Sequence, residues 1–220
     1  ILGQSAPFTG PAAQLGIQFY QGAKLHFDRV NAQGGMRPIE LRNLDDGYEP
    51  ERCAENTRKF INDDNVLALF GYIGTPTSLA ALPLAVKARV PFFAPFTGAM
   101  SLREPFNRNV FHVRASYNDE TALIVKQLTE LGLRKIAVFH QNDAYGKAGL
   151  DGVTLALAAQ NLKPVATATV ERNSEDVAAA VQKLVAAGPD AVVQVSAYKS
   201  SAAFLRAARK AGYGGTFYNV

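Results

Sequence analysis

The chain has 220 residues, 48% hydrophobic and 19% charged, enough to bury a sizeable core and to form about two domains of roughly 100–200 residues each. Its 23 Lys and Arg against 19 Asp and Glu give a net charge of +4. These basic residues are scattered and form no cluster interleaved with aromatics, which excludes a nucleic-acid partner. No apolar run approaches the roughly 20 residues of a membrane span.

In chain order, strand-like runs fall at 1–6 (ILGQSA), 39–45 (IELRNLD), 65–71 (NVLALFG), 90–95 (VPFFAP) and 109–113 (NVFHV). They continue at 135–140 (KIAVFH), 164–170 (PVATATV), 190–196 (DAVVQVS) and 215–220 (GTFYNV). Several are apolar almost throughout, as parallel strands buried on both faces are. Helical patterns lie between them at 15–33, 51–62, 77–89, 119–132, 147–161, 175–187 and 198–211. In the first, Leu15, Phe19, Ala23, Phe27 and Val30 recur three or four apart as one apolar stripe, and Gly34-Gly35 supplies the stop.

This alternation predicts an α/β chain of two doubly wound, Rossmann-like parallel-sheet lobes joined by a hinge. The rhythm restarts after an irregular loop at 98–108, so the lobes are placed at 1–115 and 116–220. The second has four strand candidates and ends on one of them, so it reads as cut short. The chain also begins at Ile1 without a methionine. Together these features lead us to expect that the 220 residues are part of a longer, processed or trimmed protein.

Cys53 is the only cysteine, so no intrachain disulfide can form, and a small residue packed inward is its expected role. His26, His112 and His140 are far apart and lack metal-ligand spacing. The GxxxxGK[ST], GxGxxG and GxSxG signatures are absent. Asp45 and Asp46, adjacent in sequence, point to opposite sides and make a poor acid–base pair. Neither an enzyme nor a resident cofactor or metal is expected.

In open parallel sheets, ligands bind beyond the carboxyl ends of the strands. After the third strand, Gly74-Thr75-Pro76-Thr77-Ser78 opens a helix with three hydroxyls, where free amides and the helix dipole favour an anion. After the fourth, Phe96-Thr97-Gly98 adds another hydroxyl and a bare backbone. Capping by Thr75 or Thr77 is the simpler alternative. Tyr145 and Tyr198 each follow a strand of the second lobe and read either as pocket groups or as packing tyrosines. Asp119 is a further candidate at a helix start, while Glu120 is explained by the helix dipole.

Taken as a set, SAPFTGPAAQLG (5–16), VNAQGG (30–35), LDDGYEPERCAENTRKFI (44–61), GYIGTPTS (71–78), PFFAPFTGA (91–99), FHVRAS (111–116), QNDAYGKAG (141–149) and AAFLRAARKAG (202–212) resemble the type I periplasmic binding proteins. The resemblance spans the whole chain. It is to the branched-chain amino-acid group of ABC-transporter receptors, which includes the leucine/isoleucine/valine-binding protein. It implies that Gly74 and Thr75 contact a ligand carboxylate, and that Thr97 and Gly98 contact carboxylate and ammonium. Tyr145 and Tyr198 look like the two second-lobe tyrosines, and Leu15 stands where the family has a pocket aromatic. The acid that binds the ammonium falls after the strand at 215–220, and FTGA departs from the family's Ala/Thr-rich loop. The resemblance therefore supports a carboxylate more firmly than an amine.

With Leu15, Phe96, Tyr145 and Tyr198 expected around the pocket, the ligand reads as an amino acid or an apolar or aromatic acid. What the resemblance implies is a periplasmic binding protein, not itself membrane-spanning, that closes its lobes on this ligand and delivers it to an ABC permease. A sensory or regulatory domain on the same fold is the alternative. A doubly wound enzyme is a third reading, without a catalytic set to support it.

Overall fold

The structure is a computed structural model, and it describes residues 1–34 and 37–220. Gly35, the second glycine of the expected stop and the last residue of VNAQGG, lies outside the described residues, as does Met36. The chain divides into two compact units, Ile1–Thr97 with Ser101–Arg114, and Gly98–Met100 with Ala115–Val220. A single cut at 115/116 was expected from the sequence. The short piece 98–100 instead groups with the second unit, because Gly98 O accepts the Tyr117 N–H at 2.8 Å.

The first unit runs β1 (Leu2–Ala6), α1 (Ala13–Gln33), β2 (Leu41–Asp45), α2 (Pro50–Asn62), β3 (Ala68–Phe70), α3 (Thr75–Ala88), β4 (Phe92–Phe93) and β5 (Val110–Phe111). Its five strands are parallel in the order β2-β1-β3-β4-β5. Register and the period of two decide which side chains share a face. Leu69, Phe92 and Val110 align across β3, β4 and β5 and are buried. Gly3 pairs with Leu69, and a Cβ there would meet the α2 residue Phe60, so this is the face that α2 covers. Phe70, Phe93 and Phe111 align on the opposite face. There α1 reaches Phe70 through Phe27, with ring centroids 5.4 Å apart, and through Phe19 at 6.1 Å. The predicted stripe of α1 is real but only half-buried along its length.

The second unit runs α4 (Tyr117–Glu130), β6 (Ile136–Gln141), α5 (Ala144–Ala158), β7 (Thr167–Val170), α6 (Ala178–Ala186), β8 (Ala191–Val195), α7 (Tyr198–Lys210) and β9 (Thr216–Asn219). Its parallel order is β7-β6-β8-β9. Both faces are packed. Ala137, Phe139 and Val192 meet Val181 and Leu184 of α6 and Phe204 of α7. On the other face Ile136, Val138 and Val193 meet Val125 and Leu128 of α4 and Val153 and Leu157 of α5. In each unit the helix after the leading strand starts very close to it. A Cβ on Gly16 would overlap the Pro7 carbonyl, and one on Gly146 the Gln141 carbonyl, so glycine is what lets these helices approach.

All nine strands and seven helices read from the sequence are present among the described residues. The helix starts are where the reading slips. Helix α3 begins at Thr75 rather than 77, with Pro76 in its first turn supplying a helical φ. Helix α4 begins two residues early because Ser116 caps it, and α5 three early because Asp143 caps it. Helix α6 begins at Ala178 rather than 175, because Ser174 Oγ and Asp176 Oδ1 accept the Asp176 and Ala178 N–H groups and hold a turn there. Among the described residues no helix is long and apolar enough to cross a membrane.

Phe139 is fully buried and stacks on Phe204 at 4.1 Å between centroids. Phe139→Ala should lower stability by about 3–5 kcal/mol in urea unfolding, against less than about 0.5 kcal/mol for Phe106→Ala on an exposed loop.

Candidate functional site

Doubly wound sheets bind ligands where the strand order reverses. In the first unit that point lies between β1 and β3, and in the second between β6 and β8. Gly74 and Thr75 follow β3, and Thr97 follows the neighbouring β4. Past the strands proper the pairing continues in a parallel bridge from Ile73 to Phe96, with the Gly74 N–H donating to Phe96 O at 3.2 Å. This extension brings Thr75 and Thr97 together. Their hydroxyl oxygens are 2.6 Å apart and both side chains are fully buried.

Gly74 is the N-cap of α3, at φ 95°, and no side chain caps the helix. A Cβ here would overlap the Tyr48 ring, so both the backbone angle and the space call for glycine. Capping does not account for the hydroxyls. Thr75 spends its hydroxyl on Thr97, and Thr77 donates to Ile73 O and to Gly74 O, the latter at 3.1 Å. Ser78 Oγ is buried without a hydrogen-bond partner. The end of α3 thus offers amides, a hydroxyl pair and one unpaired hydroxyl, a set suited to a carboxylate.

Of the other first-unit candidates, Leu15 is half-buried in the first turn of α1. The Phe96 ring is partly exposed, 5.6 Å from Phe19 and 5.0 Å from the Arg114 guanidinium.

In the second unit, Tyr145 and Tyr198 lie on the two sides of the β6/β8 switch. Tyr145 is half-buried, donates its hydroxyl to Val220 O at 2.7 Å and packs on Tyr117 at 5.5 Å. Tyr198 opens α7, whose N-cap Ala197 makes no side-chain cap, and is partly exposed. Gly98 packs on Tyr117 so closely that a side chain would collide with its backbone N and with Ala115 O. Asp119 closes a capping box: its Oδ2 accepts the Ser116 N–H at 3.2 Å and hydroxyl at 2.6 Å. The N-terminus of α5 is likewise closed, by the Asp143 carboxylate on the Tyr145 and Gly146 N–H groups. An anion meets a carboxylate at α5 and none at α3.

Behind Gly74 lies a buried polar group with opposite neighbours. Asp45 and Asp46 do point apart. Asp45 accepts from Phe8 N at 2.7 Å, Thr9 N at 3.1 Å, the Thr9 hydroxyl at 2.6 Å, Gly47 N at 3.0 Å and Arg52 at 2.8 Å. Burial works against its ionisation, but the Thr9 hydroxyl, these N–H groups and Arg52 outweigh it and hold the carboxyl well below the usual range. Asp46 is fully buried. It accepts the Ser5 hydroxyl at 2.7 Å and the Tyr48 N–H at 2.8 Å. Burial pushes it up to about 6, against the lowering effect of those two hydrogen bonds. Burial also raises the Cys53 thiol, so this buried cysteine is a packing residue rather than a nucleophile.

The family model for periplasmic binding proteins matches residues 2–220. The chain belongs to the periplasmic binding protein family. A possible leucine/isoleucine/valine-binding protein from Rhodopirellula baltica is 34% identical, with a TM-score of 0.91 over 99% of this chain and 61% of that one. A substrate-binding periplasmic protein from Ralstonia solanacearum is 33% identical, with a TM-score of 0.94 over 99% of this chain and 62% of that one. Leu/Ile/Val-binding protein homolog 7 of Brucella abortus is 27% identical over 96% of this chain. The chain spans 56% of the length of that relative.

Within this periplasmic binding protein, two groups were not singled out from the sequence. Tyr48, buried at φ 66°, lays its ring against Gly74, and Asp46 holds its amide. A residue following Asp-Asp-Gly in a loop carries no periodic signal that would reveal this. Tyr117 backs both Gly98 and Tyr145, and only its place before a helix was visible.

The two aspartates set opposite pH dependences. Asp46 is raised from the ordinary 3.8 to about 6, so its contribution is complete below its unfolded value and is lost as pH rises through about 6, on the order of 3 kcal/mol. Asp45 is lowered, so its contribution is present above the usual carboxylate range and fades as pH falls below it. Urea unfolding between about pH 4 and 7 should show wild type losing more stability than Asp46→Asn. Equal slopes for the two proteins would remove Asp46 as the source.

Proposed function

We propose that this is an extracytoplasmic solute-binding protein that holds a small carboxylate, an amino acid or an apolar or aromatic acid, and hands it to the permease of an ABC importer. The observation that carries the reading is the Thr75–Thr97 hydroxyl pair at the uncapped start of α3, with the unpartnered Ser78 hydroxyl beside it in sequence. Such a site neutralises a carboxylate with dipoles and hydroxyl donors. The names of the relatives, leucine/isoleucine/valine-binding proteins, support an amino or related acid. In the first unit Phe96, partly exposed past the end of β4, supplies apolar surface suited to such a ligand. Binding and release without turnover fits a site built of threonines, glycines and aromatics, with no acid–base pair among its candidates. The periplasm is the compartment this role requires.

Native mass spectrometry of the full-length protein, backed by a thermal-shift screen of amino, keto and aromatic acids, should identify a carboxylate. Stabilisation by sugars or polyamines alone would overturn the reading. With the ligand in hand, Thr75→Val keeps the side chain's shape but removes a hydroxyl that serves the ligand. Affinity by calorimetry should fall by on the order of 1–3 kcal/mol, with Thr75→Ser close to wild type. Unchanged affinity in the valine variant would confine Thr75 to its bond with Thr97.

A further inference from the structure

The start of α3 and the buried Asp46 belong to one short chain of contacts within the first unit. Asp46 Oδ1 accepts the Tyr48 N–H at 2.8 Å, and the Tyr48 ring occupies the space that a Cβ on Gly74 would need. The other carboxylate oxygen accepts the Ser5 hydroxyl at 2.7 Å, and the Asp46 N–H donates to Ala6 O at 3.0 Å, at the end of β1. Strand β1 lies between β2 and β3. Two strand spacings of about 4.8 Å therefore put Asp46 about 10 Å from the helix start. The titratable groups around it are fixed. Asp45, despite its burial, is held ionised by the Thr9 hydroxyl, the Phe8 and Gly47 N–H groups and Arg52 of α2. Burial keeps Cys53 of α2 and Tyr72, past the end of β3, in their neutral forms. Glu49 reaches Asp46 through its amide, which donates to Asp46 O at 2.9 Å. Asp46 itself, raised by burial to about 6, changes charge close to neutral pH.

A carboxylate seated on the α3 amides and an ionised Asp46 are like charges inside the fold, where salt screens them little. At an effective dielectric constant of about 20, two unit charges about 10 Å apart shift a binding constant on the order of tenfold. We propose that the site takes up a proton on Asp46 together with its carboxylate, so that acid tightens binding and rising pH favours release. The proposal rests on the carboxylate reading given above. Asp46 touches no ligand; it acts through the field at α3 and through Tyr48 on Gly74. By linkage the proton and the carboxylate strengthen one another by the same factor. Affinity is therefore full below about pH 6, falls as pH rises from about 6 to about 7, and then levels. A ligand carboxyl is ionised throughout this range and adds no slope of its own.

Calorimetry of the full-length protein tests this with L-leucine, its keto acid and benzoate as probes. A probe that binds should bind wild type about tenfold tighter at about pH 5 than at about pH 8. Near pH 6.5, buffers of different ionisation enthalpy should report uptake of about half a proton. Asp46→Asn keeps an acceptor for the Tyr48 N–H and removes the charge. It should bind equally at both pH values, and as tightly as wild type does in acid. Weaker binding by the variant at both pH values overturns the proposal, because Asp46 is then a structural support alone. A pH dependence that persists in the variant also overturns it, and points instead to His112, whose charged form is opposed by burial and by Arg103. A second measurement needs neither variant nor ligand. In NMR of the wild-type protein, the Thr75 amide nitrogen should titrate together with the Asp46 carboxyl carbon. A Thr75 amide that stays flat while Asp46 titrates overturns the proposal. If none of the three acids binds, the carboxylate reading fails, and the Thr75 titration still decides whether Asp46 acts on the helix start.

Discussion

The candidate site depends on the parallel register between β3 and β4. Leu69 pairs with Phe92 and Phe70 with Phe93, and the same offset returns at Ile73 and Phe96 after the strands proper have ended. This continuation carries two loops side by side far enough for the Thr75 and Thr97 hydroxyls to meet. A slip of one residue would turn Phe92 outward and Phe93 inward. It would also separate the hydroxyls, so the apolar core and the polar site are fixed by the same pairing. Any change that loosens the packing of Leu69 or Phe92 therefore acts on the site at a distance.

The electrostatics of the strand ends then sort the helices. Helices α4 and α5 have carboxylates or hydroxyls on their first-turn amides, through Ser116 with Asp119 and through Asp143. Helix α3 has Gly74 at that position, and Gly74 cannot close it with a side chain. The glycine is forced by its positive φ and by the Tyr48 ring behind it. Tyr48 is in turn held by Asp46, a carboxylate the chain buries at some energetic disadvantage, as its raised pKa records. The open helix end is thus maintained by a buried chain of contacts running back to β1 through Ser5.

Much of this was legible in the sequence because two periodicities and one rule of α/β sheets carry it. Apolar runs of four to six residues separated by helical stripes place every strand and helix, and the strand-end rule points to Thr75, Thr97, Tyr145 and Tyr198. The boundaries were less legible. Caps such as Ser116 and Asp143 start a helix before its apolar pattern begins, so a reading by periodicity starts it late. Asp119 was read as a ligand group, and the structure places its carboxylate in a capping box, a pairing with Ser116 three residues earlier that the pattern of acids alone did not separate from a site. Tyr48 was invisible because its role rests on a left-handed backbone angle and a contact across the fold. The partial exposure of Phe93 and Phe111 was hidden for a different reason: an all-apolar strand such as VPFFAP reads as buried on both sides, whether or not both covers are present.

This last point explains how a half-covered sheet can still present an ordered site. Phe92 and Leu69 face α2 and α3, the packed side, and the fully buried Thr75, Thr77 and Ser78 begin one of those two helices. Phe93 and Phe111 face the other way and make their ring contacts with one another and with Phe70. Because strand side chains alternate, the geometry of the hydroxyl pair is held from the inner face, where Leu69 and Phe92 are fully buried. The outer-face aromatics Phe70, Phe93 and Phe111 pack with one another and with α1, away from the hydroxyl pair. The division follows from the strand period alone, and it separates the packing that holds the hydroxyl pair from the aromatic ladder on the opposite face.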